Sequence, residues 1–336
     1  MDKFRVGIIG VTEPFGGELT RLLLQHPLTE LAAVSSASGE NVPLSSVYPS
    51  LYGIFDDKTV SDDDVIAASD IVFCALDSSD NQELAARAIR EKRVFIDMGA
   101  AFRLFAAEEY GQWYGADFLY PGLHEVAVYG LPELKHDRIT GRVLVGCPGP
   151  VASAALLALA PAVSEGLLNT AGIIIDAKLP SGAFGTTNGH SLSLGAAGFR
   201  ETAEIEQFLS ETANSTIRLS VAPHIVSSPR GLLVTCYGRA NLAGNEKTLR
   251  SAYEKFYTDD PFVRIVPAGA GASTASVCGS NFCDISVSYD ERTASVAVTA
   301  ALDIFMKGSA GAAVQCMNLI LSLPEATGIN TFPTAG

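Results

Sequence analysis

Positive charge is scarce in this chain: 23 lysines and arginines face 37 aspartates and glutamates, for a formal net charge of −14. Such a balance repels polyanions and argues against nucleic acid or an anionic membrane as a partner. Long apolar runs are missing as well. No stretch approaches about 18 consecutive apolar residues, and Met1-Asp2-Lys3-Phe4-Arg5 leads straight into a strand pattern, so neither a membrane span nor a secretory leader is expected. The six cysteines, at positions 74, 147, 236, 278, 283 and 316, form no Cys-x-x-Cys pair and no metal-ligand spacing, and the five histidines are scattered. The expectation is a cytoplasmic protein with buried, reduced thiols and no metal.

What the chain does have is apolar mass. With 336 residues, 48% of them hydrophobic and 18% charged, it is long enough for two domains with sizeable cores. Phe4-Arg5-Val6-Gly7-Ile8-Ile9-Gly10 predicts a buried strand. A helix with leucines at 19, 22, 23 and 24 follows over Gly16–Gln25, then a strand over Leu31–Ser35. This βαβ opening is of the dinucleotide-binding kind, in which a glycine-rich turn holds a pyrophosphate on the helix N-terminus. The candidate cofactor residues are Gly10, Thr12, Glu13 and Gly16. Glu13 stands where the middle glycine of G-x-x-G-x-x-G belongs, adding bulk and a charge of the same sign as phosphate.

A polar, irregular segment is expected over Ser36–Asp64. Strands at 70–76 and 93–97 flank a helix at 81–91, and a turn-rich stretch covers 105–142. The alternation predicts an α/β fold with a Rossmann-type doubly wound parallel sheet over 1–148. Beyond residue 150 the spacing predicts a helix at 151–166, a strand at 172–178 and a Gly/Ser-rich loop at 181–198. A helix at 203–210 follows, with strands near 217–221, 231–238, 275–278, 282–289 and 294–301. That is an α+β, antiparallel-rich second domain over 149–305. A small-residue helix closes the pattern at 308–321.

The stretch Val145-Gly146-Cys147-Pro148-Gly149-Pro150-Val151-Ala152-Ser153 runs into an Ala/Leu helix, so unpaired N–H groups and the positive helix end fall at 150–153. Such a point suits an anion or a nucleophilic cysteine. Here Pro150 occupies it, and the nearest thiol, Cys147, lies three residues upstream.

Several blocks resemble the N-acetyl-gamma-glutamyl-phosphate reductase family, which is related to aspartate-semialdehyde dehydrogenase. They include Gly16-Gly17-Glu18-Leu19 with His26-Pro27, Ile96 to Leu104, and Ala127 to Leu134. Later come Asp176-Ala177-Lys178, Glu204-Ile205-Glu206-Gln207, Pro223-His224, Arg230-Gly231, Gly279 to Ile285 and Lys307 to Gly311. The resemblance implies a Rossmann domain (1–148 plus 306–336) with an inserted substrate and dimerisation domain (149–305), and a homo-oligomer. It also implies NADP as cofactor and reduction of an acyl phosphate to a semialdehyde through a cysteine thiolate and a histidine.

The family's catalytic positions are changed here. Aligned on Leu157-Ala158-Leu159-Ala160-Pro161, the family's N-P-G-C-Y-P-T puts Pro150 on the cysteine, Ser153 on the threonine and Cys147 on the asparagine. The H-R-H-x-P-E-I-E-Q block becomes Phe199 to Gln207, so Glu201 replaces the histidine. The S-G-x-S-G-A-G-R loop ends on Thr186 rather than arginine, L-P-H-G becomes Leu76-Asp77-Ser78-Ser79, and Ser36-Ala37-Ser38 offers no arginine to a 2′-phosphate. A framework kept while its chemistry changes implies a catalytically impaired or inactive copy. It would bind a small carboxylate or acyl phosphate through Arg103, Ser153 and Arg200, bind NADP weakly, and assemble with itself or with an active paralog. The alternative is a working NADP-dependent dehydrogenase that uses Cys147 as nucleophile and Glu201 as an exposed, weakly basic carboxylate.

Overall fold

In chain order the elements begin with β1 (Phe4–Ile9), α1 (Gly16–Gln25), β2 (Thr29–Val34), α2 (Leu44–Val47), α3 (Asp62–Ala68), β3 (Ile71–Cys74), α4 (Asn81–Arg90) and β4 (Val94–Asp97). The structure is a computed structural model in which residues 3–185, 189–241 and 245–334 are described. Short helices α5 (Ala107–Tyr114), α6 (Pro121–Val126) and α7 (Pro132–Ile139) surround β5 (Val128–Tyr129) and precede β6 (Leu144–Gly146). The six strands form one parallel sheet in the order β2-β1-β3-β4-β6-β5. All four residues of β3, Ile71 to Cys74, are buried, as expected for a parallel strand covered on both faces.

The expected irregular segment 36–64 holds more order than its polarity suggests. It contains α2, a 3₁₀ turn at Pro49–Leu51 and the start of α3, which Ser61 caps by accepting from the Asp64 N–H. The turn-rich stretch 105–142 resolves into α5–α7, each of eight residues or fewer, too short to leave a clear helical period in the sequence.

The second group of elements is α8 (Pro150–Ser164), β7 (Leu168–Pro180), α9 (Ser181–Phe184), β8 (Leu192–Ser193), α10 (Glu201–Ala213), β9 (Ser220–Val226) and β10 (Gly231–Ala240). Then come α11 (Glu246–Phe256), β11 (Val263–Ile265), β12 (Cys283–Asp290) and β13 (Ser295–Asp303). The sheet order is β11-β12-β13-β10-β7-β9-β8. It is mixed: β11/β12 and β7/β9 run parallel and the other pairs antiparallel. The strand expected at 275–278 is instead a 3₁₀ turn, Thr274–Ser276. α11 leaves a faint trace because Leu249 and Tyr253 are its two buried residues.

α8 is buried from Val151 to Val163 and lies across β7, β10 and β13. α10 and α11 pack on α8 in turn. Pro161 within α8 has no N–H, which leaves the Leu157 carbonyl without its usual i+4 donor. The Tyr257 hydroxyl donates to that carbonyl at 2.6 Å, and Tyr253 donates to Ala158 O at 2.6 Å. Two tyrosines thus hydrogen-bond to the carbonyls of a helix that has no polar face of its own.

The chain divides into two compact units, Met1–Pro148 with Ser309–Asn330, and Gly149–Gly308 with Thr331–Gly336. The first includes α12 (Gly311–Ile320), every residue of which is buried. There Gln315 Nε2 donates to Glu133 at 3.0 Å, and Asn318 Oδ1 lies 3.1 Å from His26 Nε2. The domain limits expected from the sequence shift at this end. Residues 306–308 and the tail from Thr331 group with the second unit, where Thr331 Oγ1 donates to Gly279 O and the Thr334 N–H to Cys278 O.

In the first unit His124 stacks on Phe118 with centroids 3.3 Å apart and contacts Gln82 Oε1 through Nε2 at 3.2 Å. Burial holds its imidazolium down to about 4. Between pH 4 and 6.5 the unfolded chain therefore binds a proton at His124 that the folded chain refuses, so this group's stabilisation is present above pH 6.5 and lost as pH falls towards 4. Buried Asp97, pushed up to about 6 by burial, has the opposite slope between pH 3.8 and 6. The unfolding free energy of the wild type minus that of His124→Gln should therefore rise between pH 4 and 6.5, by on the order of 3 kcal/mol. Urea midpoints across that range check it, and a pH-independent difference would contradict it.

Candidate functional site

Two places carry the sequence-expected residues, one in each unit. In the first, the turn from β1 to α1 has Gly10 in the left-handed region at φ +77°. Gly16 lies so close to the chain behind it that a Cβ there would meet Val11 O at 2.0 Å, which is why only glycine fits. Three of the turn's N–H groups have main-chain acceptors: Val11 N donates to Ser35 O at the end of β2, and within the turn Glu13 N donates to Gly10 O and Gly16 N to Glu13 O. Glu13 is half-buried in this turn. Tyr48 donates from its hydroxyl to Val11 O at 2.8 Å, and its phenol is raised above the usual value, chiefly by burial and further by the Glu13 charge. Thr12 Oγ1 lies 2.8 Å from Ser36 Oγ, and Ser36 also accepts from the Ser38 N–H. At the end of β2 small hydroxyls therefore bond to one another.

Also in the first unit, Arg103 donates from Nε to Cys147 O at 2.8 Å and from Nη2 to Met98 O at 3.0 Å. These contacts tie it to main chain at the C-terminal ends of β4 and β6. Cys147 itself is 2% exposed, and its N–H donates to Asp97 O at 2.7 Å. Asp97 Oδ1 accepts from Asn81 at 2.7 Å and from the Gly99 N–H at 3.1 Å, while Oδ2 accepts from the Ala101 N–H. Burial raises this carboxyl to about 6, against the opposing pull of Asn81 and the Arg103 charge. Asp97 and Asn81 are components that sequence reasoning passed over. Asp97 lies in the Ile96 to Leu104 block that carries the family resemblance, and nothing in the sequence pairs it with Asn81.

In the second unit the site is the N-terminus of α8. Gly149 is its cap, with extended backbone, and Pro150 takes the first helical position, where a missing N–H costs nothing. Two of the remaining end donors are met by carboxylates from α10. The Ala152 N–H donates to Glu201 Oε2 at 2.7 Å and the Gly149 N–H to Glu204 Oε2 at 3.0 Å. A Cβ on Gly149 would lie 2.3 Å from the Glu201 carboxylate, so the side chain fills the space directly over the cap. Glu201 is half-buried and engaged, which corrects its expected exposed state.

The other expected ligand contacts in this unit have mixed placements. Ser153 is fully buried and its hydroxyl donates back to Gly149 O at 3.0 Å, so that hydroxyl is used within the helix. Arg200 stands at the N-cap position of α10, makes no side-chain capping bond there and is exposed. Thr186 lies outside the described residues. Glu204, fully buried, was missed as a site residue; its one sequence signal was the Glu204-Ile205-Glu206-Gln207 block. Among the described residues no group of three or more His, Cys, Asp or Glu side chains could hold a metal ion. No helix among them is long and apolar enough to cross a membrane.

Two family models cover most of the chain: "Semialdehyde dehydrogenase, NAD binding domain" over residues 5–142 and "Semialdehyde dehydrogenase, dimerisation domain" over 151–303. An N-acetyl-gamma-glutamyl-phosphate reductase from Symbiobacterium thermophilum is 40% identical over 339 residues, covering 97% of this chain and 97% of the relative. One from Clostridium kluyveri is 35% identical, covering 98% of each. An aspartate semialdehyde dehydrogenase II from Vibrio cholerae has the same fold, with a TM-score of 0.71 at 14% identity over 96% of this chain and 99% of that one. Near-complete coverage at this identity leaves one assignment: the chain belongs to the N-acetyl-gamma-glutamyl-phosphate reductase family.

Proposed function

We propose that this chain is a catalytically impaired or inactive copy of the reductase, acting as a binding or structural subunit. One observation carries the reading: at the start of α8, where the family's aligned cysteine is replaced by Pro150, the protein's own Glu201 carboxylate accepts the Ala152 N–H at 2.7 Å. A helix N-terminus lowers a thiol's pKa by favouring the thiolate. Here that end is taken by a carboxylate of the protein itself, and proline has no nucleophilic atom. Glu201 also takes the position of the family's histidine, so the group that would exchange protons near neutrality is missing. Cys147 is a poor substitute, since its side chain is shielded and its backbone is held by Asp97 and Arg103.

The ligand class kept in this reading is a small carboxylate or acyl phosphate, for which Arg200, exposed in the second unit, supplies planar donors. Homo-oligomerisation follows the dimerisation-domain match, and the reading extends to association with an active relative. NADP remains the family's cofactor, but the turn between β1 and α1 does not fit a 2′-phosphorylated dinucleotide well. Glu13 brings a like charge to the pyrophosphate turn, and Ser36 and Ser38 replace a cation after β2.

Assay of the purified chain with N-acetyl-gamma-glutamyl phosphate and NADPH is expected to give no turnover above background. Pro150→Cys and Glu201→His should each remain inactive alone, because nucleophile and base act as a unit. Wild-type turnover that disappears in Cys147→Ser would overturn the reading. For the cofactor, losing one charge-assisted phosphate contact costs on the order of 1.5–3 kcal/mol, about ten- to a hundredfold in affinity. Calorimetry with NADPH should therefore show no saturation in the micromolar range, and a low-micromolar dissociation constant would contradict that expectation.

A further inference from the structure

In a doubly wound sheet a dinucleotide's pyrophosphate lies at the turn after the first strand, and its adenosine ribose lies near the end of the second. An acid at that strand end accepts from the free 2′-hydroxyl of NAD, whereas a cation there meets the 2′-phosphate of NADP. In this chain β1 and β2 run parallel side by side, and the turn is tied to the end of β2. Val11 N donates to Ser35 O, and Thr12 Oγ1 lies 2.8 Å from Ser36 Oγ.

The donors at this strand end are few. Thr12 and Ser36 carry two hydroxyl protons between them, and their mutual bond uses one. Ser36 also accepts from the Ser38 N–H. A ribose hydroxyl both donates and accepts, so one remaining proton and the free lone pairs suit it. A phosphate dianion only accepts, and it is held best by several donors that are themselves charged.

The charge at this end has the wrong sign for a phosphate. Ser35, buried at the end of β2, donates to Asp62 Oδ1 at 2.5 Å, which brings a half-buried carboxylate of α3 against the strand end. Between residues 36 and 62 the one cation is Lys58, against Glu40, Asp56, Asp57 and Asp62. Lys58 is exposed, and its backbone pairs with Pro43. Arg87 of α4 is held by Asp63 and Glu83 instead.

We infer that this turn selects NAD over NADP: Thr12, Ser36 and Asp62 suit a free 2′-hydroxyl and reject a 2′-phosphate. Glu13 opposes the pyrophosphate of either dinucleotide alike, so it weakens both and leaves their ratio to the end of β2. The inference rests on the weak NADP binding of the reading above and is independent of its catalytic part.

Calorimetric titration of the full chain with NADH and NADPH, repeated with ADP-ribose and its 2′-phosphate, tests it. NADH and ADP-ribose are each expected to bind at least about tenfold more tightly than their 2′-phosphorylated counterparts. Ser36→Arg, which puts a planar cation at the end of β2, should bring that ratio to one or below. Asp62→Asn keeps an acceptor for Ser35 but removes the charge, and should narrow the ratio by about threefold. NADPH binding as tightly as NADH would overturn the inference, and doing so at low-micromolar concentration would overturn the weak NADP binding as well. No saturation by either dinucleotide at millimolar concentration would overturn the inference and leave the weak NADP binding standing. A ratio that neither variant changes would remove the selection from the end of β2 and overturn the inference too. Should Ser36→Arg fail to fold, the wild-type ratio and Asp62→Asn decide.

Discussion

The second unit depends on how the N-terminus of one buried, wholly apolar helix is satisfied. α8 supplies the centre of that unit's core but has no polar face of its own. Its first N–H groups have no partners within the helix, and leaving one unpaired in a dry setting costs about 1–3 kcal/mol. Pro150 removes one such donor at the outset. Glu204 and Glu201 accept from Gly149 and Ala152, and their negative charge lies at the positive end of the helix. Every part of this arrangement favours a stable helix start. A reactive thiol at the same place would need the end donors left available to a substrate, and proteins commonly hold such sites at a cost in stability. Pro150 and Glu201 are therefore consistent with each other as a cap.

The first unit reads in the same way. Arg103 is bonded to main-chain carbonyls at the ends of β4 and β6, and Asp97 is enclosed by Asn81, Gly99 and Ala101. In the turn after β1, Tyr48 binds Val11 O and Thr12 meets Ser36. Both contacts lie in the turn that also carries the Glu13 carboxylate.

Much of the frame was legible because its periodicity is strong. α1 falls on Gly16–Gln25 as its leucine spacing predicts, and the buried strands β1, β3 and β4 stand out as short apolar runs. Weakly patterned pieces were not legible: α5–α7 are too short for a period, and a β-like run at 275–278 closes into a 3₁₀ turn held by Ser273 to Cys278. In the site, Pro150, Glu201 and Glu13 stand out in the sequence because each departs in residue type from the family motif that its surroundings resemble. What they do is not. The contact of Glu201 with Ala152 spans 49 residues and exists because α10 packs on α8. The enclosure of Ser153 likewise follows from the burial of α8 from Val151 onward.

The account turns on the Glu201 carboxylate lying over the cap of α8, and a double-mutant cycle with Gly149 measures that contact directly. A Cβ at 149 would lie 2.3 Å from the carboxylate, so Gly149→Ala must displace it. Unfolding free energies of the wild type, Gly149→Ala, Glu201→Ala and the pair supply the cycle. Gly149→Ala is predicted to cost about 1–3 kcal/mol in the wild type. In the Glu201→Ala background that cost should fall by more than about 1 kcal/mol, because the space is already vacant. Equal costs in both backgrounds would mean that Glu201 does not occupy the helix start, and the central claim would fail.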